Sequence, residues 1–196
     1  MVIGVVGRSA SGKDELLQYL HQRCDLPIIS IGDVVREMAR RRGIEPTRAN
    51  LHSLSQEFFD RRGRDYFARK VIDRIEKRDE AAVGLSGIRT PTDVKVLHEH
   101  FREDFLLVGV VVGDPHTRFE RARRRGSARD PEQYEVFRRR DREEEEVFHI
   151  SDTLDCVDLK IWNDSSLEEF HEAVAERIIE PHLAGVINCR RAKVFL

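Results

Sequence analysis

One seven-residue segment limits this chain more than any other: Gly7-Arg8-Ser9-Ala10-Ser11-Gly12-Lys13, which fits G-x-x-x-x-G-K. It stands between a β-branched run over residues 2–6 and a helical pattern that begins at Asp14 and fades near Arg23. Strand, glycine-bounded loop and helix in that order let backbone amides curl around phosphate oxygens while the helix N-terminus adds its positive end. Lys13 can then reach the β and γ phosphates, so Gly7, Arg8, Ser9, Ala10, Ser11, Gly12 and Lys13 are all candidate nucleotide-binding residues. The next residue departs from the usual pattern. Where Ser or Thr would offer Mg²⁺ a hydroxyl, the chain has Asp14. Its hard carboxylate oxygens can take the ion directly or through water. The alternative is a helix-start carboxylate favoured by the dipole.

Four further apolar runs, over residues 27–31, 82–85, 105–112 and 157–162, are separated by charged, helically periodic stretches. Runs without strict alternation suit strands buried on both faces. The prediction is a three-layer α/β fold, a doubly wound five-stranded parallel sheet flanked by helices, over residues 1–180, with 181–196 as a tail. Residues 33–79 are longer than a plain crossover and should hold two or three helices, broken near Gly43 and Pro46 and again near Arg62 and Gly63. Residues 114–150, rich in Arg and Glu, read as two exposed helices around a turn between Gly126 and Pro131, more lid than core. A later helix starts at Ser166 with Glu169 three positions on, a capping-box signal, and Pro181 should close it. The stretch beyond His182 is left open between an extra strand, a docking tail and disorder.

Composition removes several classes. With 196 residues, 40% of them hydrophobic, and only 12 Gly and 6 Pro, the chain is neither collagen-like nor low-complexity. Its 34 basic and 36 acidic residues nearly cancel, leaving a formal charge of −2, so no global electrostatic grip on nucleic acid is expected. The longest apolar stretch, residues 105–113, spans nine residues; a bilayer-crossing helix needs roughly 20, so no membrane association is expected. The N-terminus enters the first strand with no basic segment ahead of it, and a cytoplasmic protein is expected. Cys24, Cys156 and Cys189 lack the spacing of a zinc site or redox dithiol, and reduced thiols are the expectation. The acidic run Glu143 to Glu146 reads as a solvated helix face.

Absences narrow the phosphate-loop families. No Asn-Lys-x-Asp guanine motif occurs, and the strand that would end in Asp-Glu in an ATP-driven motor runs Leu85-Ser86-Gly87-Ile88-Arg89 instead. The segments Gly32-Asp33-Val34-Val35-Arg36-Glu37, Gly87-Ile88-Arg89, Thr117-Arg118-Phe119-Glu120-Arg121, Arg140-Asp141 and residues 163–170 together resemble the nucleoside monophosphate kinase superfamily. Within it, the resemblance is to uncharacterised archaeal-type kinases similar to dephospho-CoA kinase. The Gly-Lys-Asp loop also resembles phosphomevalonate kinases and phage deoxynucleotide kinases, so the acceptor stays open.

The resemblance implies roles. Arg36 and Arg89 would hold the acceptor's phosphate; Asp33 would either touch the acceptor or cap its helix. Arg121, Arg125, Arg129 and Arg140 would be lid arginines that act during transfer, although residues 118–146 carry ten Arg among nine acids, and any one of them can be a solvated ion-pair partner. Asn163 would lie beside the adenine. Ser86 stands where most relatives place an Asp that orients Mg²⁺, which reads either as relocation of that charge to Asp14 or as loss of turnover. The implied activity is Mg²⁺-assisted transfer from ATP to a small phosphorylated or nucleotide acceptor by a monomer or homodimer. The alternative is an ATP-binding regulatory protein of the same fold.

Overall fold

The computed structural model describes residues 1–127 and 130–189. All five predicted strands form: β1 (Val2–Val6), β2 (Ile28–Ser30), β3 (Val83–Ser86), β4 (Phe105–Val111) and β5 (Leu159–Trp162). They make one parallel sheet in the order β2-β3-β1-β4-β5. Central β1 is buried along its whole length, and its residues alternate between two cores as a strand's period of two requires. Val2 and Val6 join a cluster with Val34, Val71 and Leu97, while Ile3 and Val5 join Leu16, Leu20, Phe170 and Ile178.

Helices cover both faces. They are α1 (Lys13–Cys24), α2 (Ile31–Arg41), α3 (Arg48–Arg62), α4 (Tyr66–Glu76), α5 (Pro91–Phe101), α6 (Pro115–Arg125), α7 (Tyr134–Phe148), α8 (Ile150–Asp155) and α9 (Leu167–Val174). Local chemistry marks their starts. Thr90 and Asp93 close a capping box on α5, as Ser166 and Glu169 do on α9, while the Asp114 carboxylate accepts from the His116 and Thr117 amides at the start of α6. The paired register aligns Val6 with Gly109, Ser30 with Ser86, and Val111 with Trp162. The carboxyl ends of all five strands therefore open on one rim, where open α/β sheets bind their ligands.

Three expectations need correction. Pro181 does not end the C-terminal helix: α9 continues as a π-helical segment, Ala175–Leu183, with Pro181 inside it. The wider winding, seen in the Ala184 amide donating to the Ile179 carbonyl at 2.8 Å, accommodates a ring that would clash in an α-helix. The helix cap near Asp33 is Ser30, whose hydroxyl accepts from the Gly32 amide at 3.1 Å. Cys24 and Cys189 are not free thiols but form a disulfide, whereas Cys156 is free and exposed. A pairing across 165 positions leaves no local spacing to read. It arises because the chain folds back after Leu183, packing Ile187 and Cys189 on the α1 cluster, so the tail docks as far as Cys189. The rest of the tail lies outside the described residues.

Candidate active site

The loop after β1 is shaped by close approach. A Cβ on Gly7 would strike Ser11 Oγ and the Val110 carbonyl, and one on Gly12 would strike Asn163 Nδ2. Gly12 also has φ 102°, and Ala10 sits in the same left-handed region at φ 58°. The Ser11 amide closes the turn on the Arg8 carbonyl at 3.2 Å. Two side chains grip the loop from outside: Arg118 Nη1 donates to the Ser9 carbonyl at 3.1 Å, and Asn163 Nδ2 donates to the Ser11 carbonyl at 2.9 Å. Asn163 is buried in that contact, so its amide supports the loop from behind.

Lys13 opens α1 in a half-buried position. Desolvation draws its ammonium below the ordinary lysine range; Asp14 and Glu144 oppose that shift, and Arg89 and Arg125 reinforce it. Four charges from four segments thus converge on one amine. Among the described residues, no hydrogen bond or ion pair reaches it. Asp14 is exposed beside it, and its charge also acts on Arg125. Ser11 Oγ is buried with no hydrogen-bond partner among the described residues.

The acceptor-side candidates lie at the start of α2 and after β3. Gly87, at φ 85°, packs against Gly32, with its Cβ position 3.3 Å from the Gly32 amide nitrogen, which joins the two segments. Arg36 is ion-paired with Asp33 at 2.6 Å. The Arg89 guanidinium lies over the Phe148 ring, 4.9 Å from its centroid. Its peptide is held at both ends: its N–H donates to Asp93 Oδ2 at 3.2 Å, and its carbonyl accepts from Thr153 Oγ1 at 2.9 Å. Beside them a cavity of about 160 Å³ is lined by Gln56, Phe59, Arg64, Thr90, Glu146 and His149, among others.

The arginine-rich segment divides. Arg125 forms an ion pair with Asp130 at 2.6 Å, which raises the Arg125 pKa and lowers that of Asp130; Arg140 adds to the second effect. Arg140 shares a small cavity of about 30 Å³ with Ser9, Asp130 and Glu144. Arg121 Nη1 is buried without a hydrogen-bond partner among the described residues. Arg129 lies outside the described residues.

Several site residues carried no role in the sequence reading. Arg118 and Asp141 form a buried bidentate ion pair, with one contact at 3.0 Å. Glu145 accepts from Arg8 Nη2 at 2.5 Å, and Ser151 Oγ accepts from the same nitrogen at 2.8 Å. The acidic run is therefore not simply a solvated face: Glu145 holds the loop, Glu144 acts on Lys13, and only Glu143 is both exposed and ion-paired along its own helix, with Arg139 at 3.6 Å. Helical spacing is consistent with their burial but does not single them out. Arg118 lies four residues before buried Ala122, and Asp141 four after buried Phe137, which puts both on core-facing stripes.

Comparison with known proteins agrees with the fold that carries this site. A family model described as an AAA domain matches residues 6–138, from the end of β1 into α7. A UPF0200 protein of Hyperthermus butylicus is 36% identical over 179 residues, covering 91% of this chain and 93% of that protein. A UPF0200 protein of Thermococcus onnurineus is 32% identical over 186 residues, covering 94% and 99%. Among solved structures, a gluconokinase from Sinorhizobium meliloti 1021 is similar with a TM-score of 0.53 at 17% identity, covering 94% of this chain and 90% of that one. TT1252 from Thermus thermophilus gives 0.55 at 15%, covering 90% and 95%. Identities this low show the fold alone, a P-loop kinase-like α/β architecture, and the archaeal relatives match the resemblance drawn from the sequence motifs. By family model and by identity across nearly its whole length, the chain belongs to the AAA domain family and to the UPF0200 proteins.

Proposed function

We propose that this protein transfers the γ-phosphoryl group of ATP, with Mg²⁺, to a small phosphorylated or nucleotide acceptor. The observation that carries the reading is Lys13, a desolvated ammonium with no ion pair among the described residues, set at a loop whose two glycines, Gly7 and Gly12, leave no room for a Cβ. A polyphosphate would restore to that amine the partner that burial has taken from it. It would also meet Ser11 Oγ, the buried hydroxyl with no partner among the described residues. Those residues contain no group of three or more His, Cys, Asp or Glu able to hold a metal ion. Mg²⁺ would accordingly be shared between phosphate oxygens and Asp14, which suits an ion that keeps several of its waters. When bound, it neutralises charge that develops on the transferred group.

In the transfer, an acceptor oxygen forms a bond to the γ-phosphorus while the bond to the β–γ bridging oxygen breaks, and ADP leaves with that electron pair. Any proton on the acceptor oxygen passes to solvent. Lys13 holds the β and γ oxygens, and Arg36 and Arg89 hold the acceptor's phosphate. The helices over residues 31–76 enclose the acceptor, and residues 114–150 close as a lid that brings Arg121, Arg125, Arg129 and Arg140 to the phosphates. Arg36 and Arg125 now face Asp33 and Asp130, so each would exchange a carboxylate for a phosphate on closure.

A single-turnover assay with γ-labelled ATP tests the reading, using AMP, CMP, dTMP, dephospho-CoA and phosphomevalonate as acceptors. Label appearing on one of them supports phosphotransfer. Bound ATP with no transfer to any of them would favour the regulatory alternative, for which Ser86 at the end of β3 speaks, because no carboxylate stands there to orient the metal.

A further inference from the structure

We infer that Arg118 and Asp141 are positioning residues for the phosphate loop: their buried ion pair holds the Ser9 carbonyl outward and so aims the Ala10 amide into the cradle. The inference rests on the nucleotide-binding reading above. Across a trans peptide the C=O and N–H point in opposite directions, and no cis bond occurs among the described residues. Whatever grips the Ser9 carbonyl therefore sets the direction of the Ala10 N–H. Arg118 Nη1 makes that grip at 3.1 Å. Asn163 does the same two peptide units further on, holding the Ser11 carbonyl at 2.9 Å and setting the Gly12 amide. The two amides belong to the two loop residues with left-handed backbone, Ala10 and Gly12, the conformation from which anion-binding nests are built.

The choice of residues supports orientation over simple packing. Arg118 and Asp141 side chains are only 3% and 11% exposed. A buried ion pair is often no more stabilising than apolar side chains of equal volume, so stability alone gives no reason for it here. A planar guanidinium, by contrast, can fork onto both oxygens of Asp141 and still direct an N–H at the Ser9 carbonyl. The Phe137 ring lies 5.3 Å from its carbon and fixes the plane. Because Arg118 stands on α6 and Asp141 on α7, the phosphate-loop geometry depends on two helices outside the strand-loop-helix unit that carries the motif.

Titration calorimetry of the full chain with Mg-ATP, and separately with inorganic tripolyphosphate, tests this. Arg118→Met should weaken both ligands by the same factor, roughly tenfold or more, the worth of one charge-assisted contact. Arg118→Lys keeps the charge and the reach to Ser9 but not the fork, and should lose a smaller factor for both. Unequal factors for the two ligands, or unchanged affinity in a folded Arg118→Met protein, would overturn the inference while leaving nucleotide binding intact. Failure of both variants to fold would overturn it too, since the pair would then be holding the core and not the loop. A native protein that bound neither ATP nor tripolyphosphate would instead overturn the nucleotide-binding reading on which the inference rests.

Discussion

Lys13 stands in a half-buried place where desolvation lowers the pKa of its amine, and the opposing pull of Asp14 and Glu144 is countered by Arg89 and Arg125. Removing the amine leaves the amides of the loop but no cation at the β/γ phosphates. Lys13→Ala should lower single-turnover phosphoryl transfer by roughly 10²-fold or more, as single electrostatic contacts in dehydrated sites do; retained transfer would show that the loop is not the donor site. Asp14 is exposed and free to meet a metal ion. Asp14→Asn keeps the size and one oxygen while losing the charge, so the Mg²⁺ concentration for half-maximal rate should rise. An unchanged Mg²⁺ titration would make Asp14 a helix-start carboxylate only. Sequence spacing named both residues, since neighbours along the loop are necessarily neighbours in space. The same spacing could not show that Asn163, expected beside the base, supports the Ser11 carbonyl from a buried position, because strand β5 brings it there from 152 residues away.

At the scale of elements, the start of α9 was legible from its capping box, whereas the start of α2 was not, since Ser30 and not Asp33 caps it. Ser-x-x-Glu at α9 and Thr-Pro-x-Asp at α5 are local hydrogen-bond devices, complete within four residues. Ser166→Ala should destabilise the protein by about 1 kcal/mol, or roughly 2–4 °C in Tm, read by calorimetry. The α5 cap differs because Asp93 is buried. Burial raises its pKa, against the opposing hydrogen bonds from Thr90 and Arg89. A carboxyl with a raised folded pKa binds its proton more tightly in the native state, so its contribution to stability is present below the ordinary Asp pKa and is lost as pH rises through the folded value. Asp93→Asn, neutral at every pH, should therefore gain stability relative to the natural chain near neutral pH, and lose that advantage as pH falls toward about 4. Equal pH profiles of urea midpoint for the two chains would contradict the shift. Helix ends proved less legible. Pro181 looked like a stop, and a π-helical turn absorbed it, a choice made by packing of Ile178, Ile179 and Leu183 on the core.

At the scale of the whole molecule, the Cys24–Cys189 bond ties the end of α1 to the chain's return after the π-helical segment. Closing so long a loop restricts the unfolded chain, a stabilisation of about 2–5 kcal/mol for bonds of this kind. Unfolded protein kept from reductant should show one reactive thiol, Cys156, and three after reduction, and the reduced chain should melt several degrees lower. Three thiols without reductant would contradict the pairing. Residues 1–14 determined, by themselves, that a strand would feed a phosphate loop and then a helix, because each step there is set by backbone stereochemistry and near neighbours. The five strands were readable as apolar runs too, but burial on both faces holds for β1, β3 and β4, while the edge strands β2 and β5 expose Ile28, Lys160 and Trp162. Only the tertiary structure decided which of the many arginines near the loop hold it. Arg118 and Arg125 differ little in sequence context, yet one is buried on Asp141 and Ser9 and the other is ion-paired at the surface with Asp130. Charge at long range in sequence has no period to read. Its partner is chosen by the sheet order and the helix crossings that bring α6 and α7 over the carboxyl ends of β1 and β4.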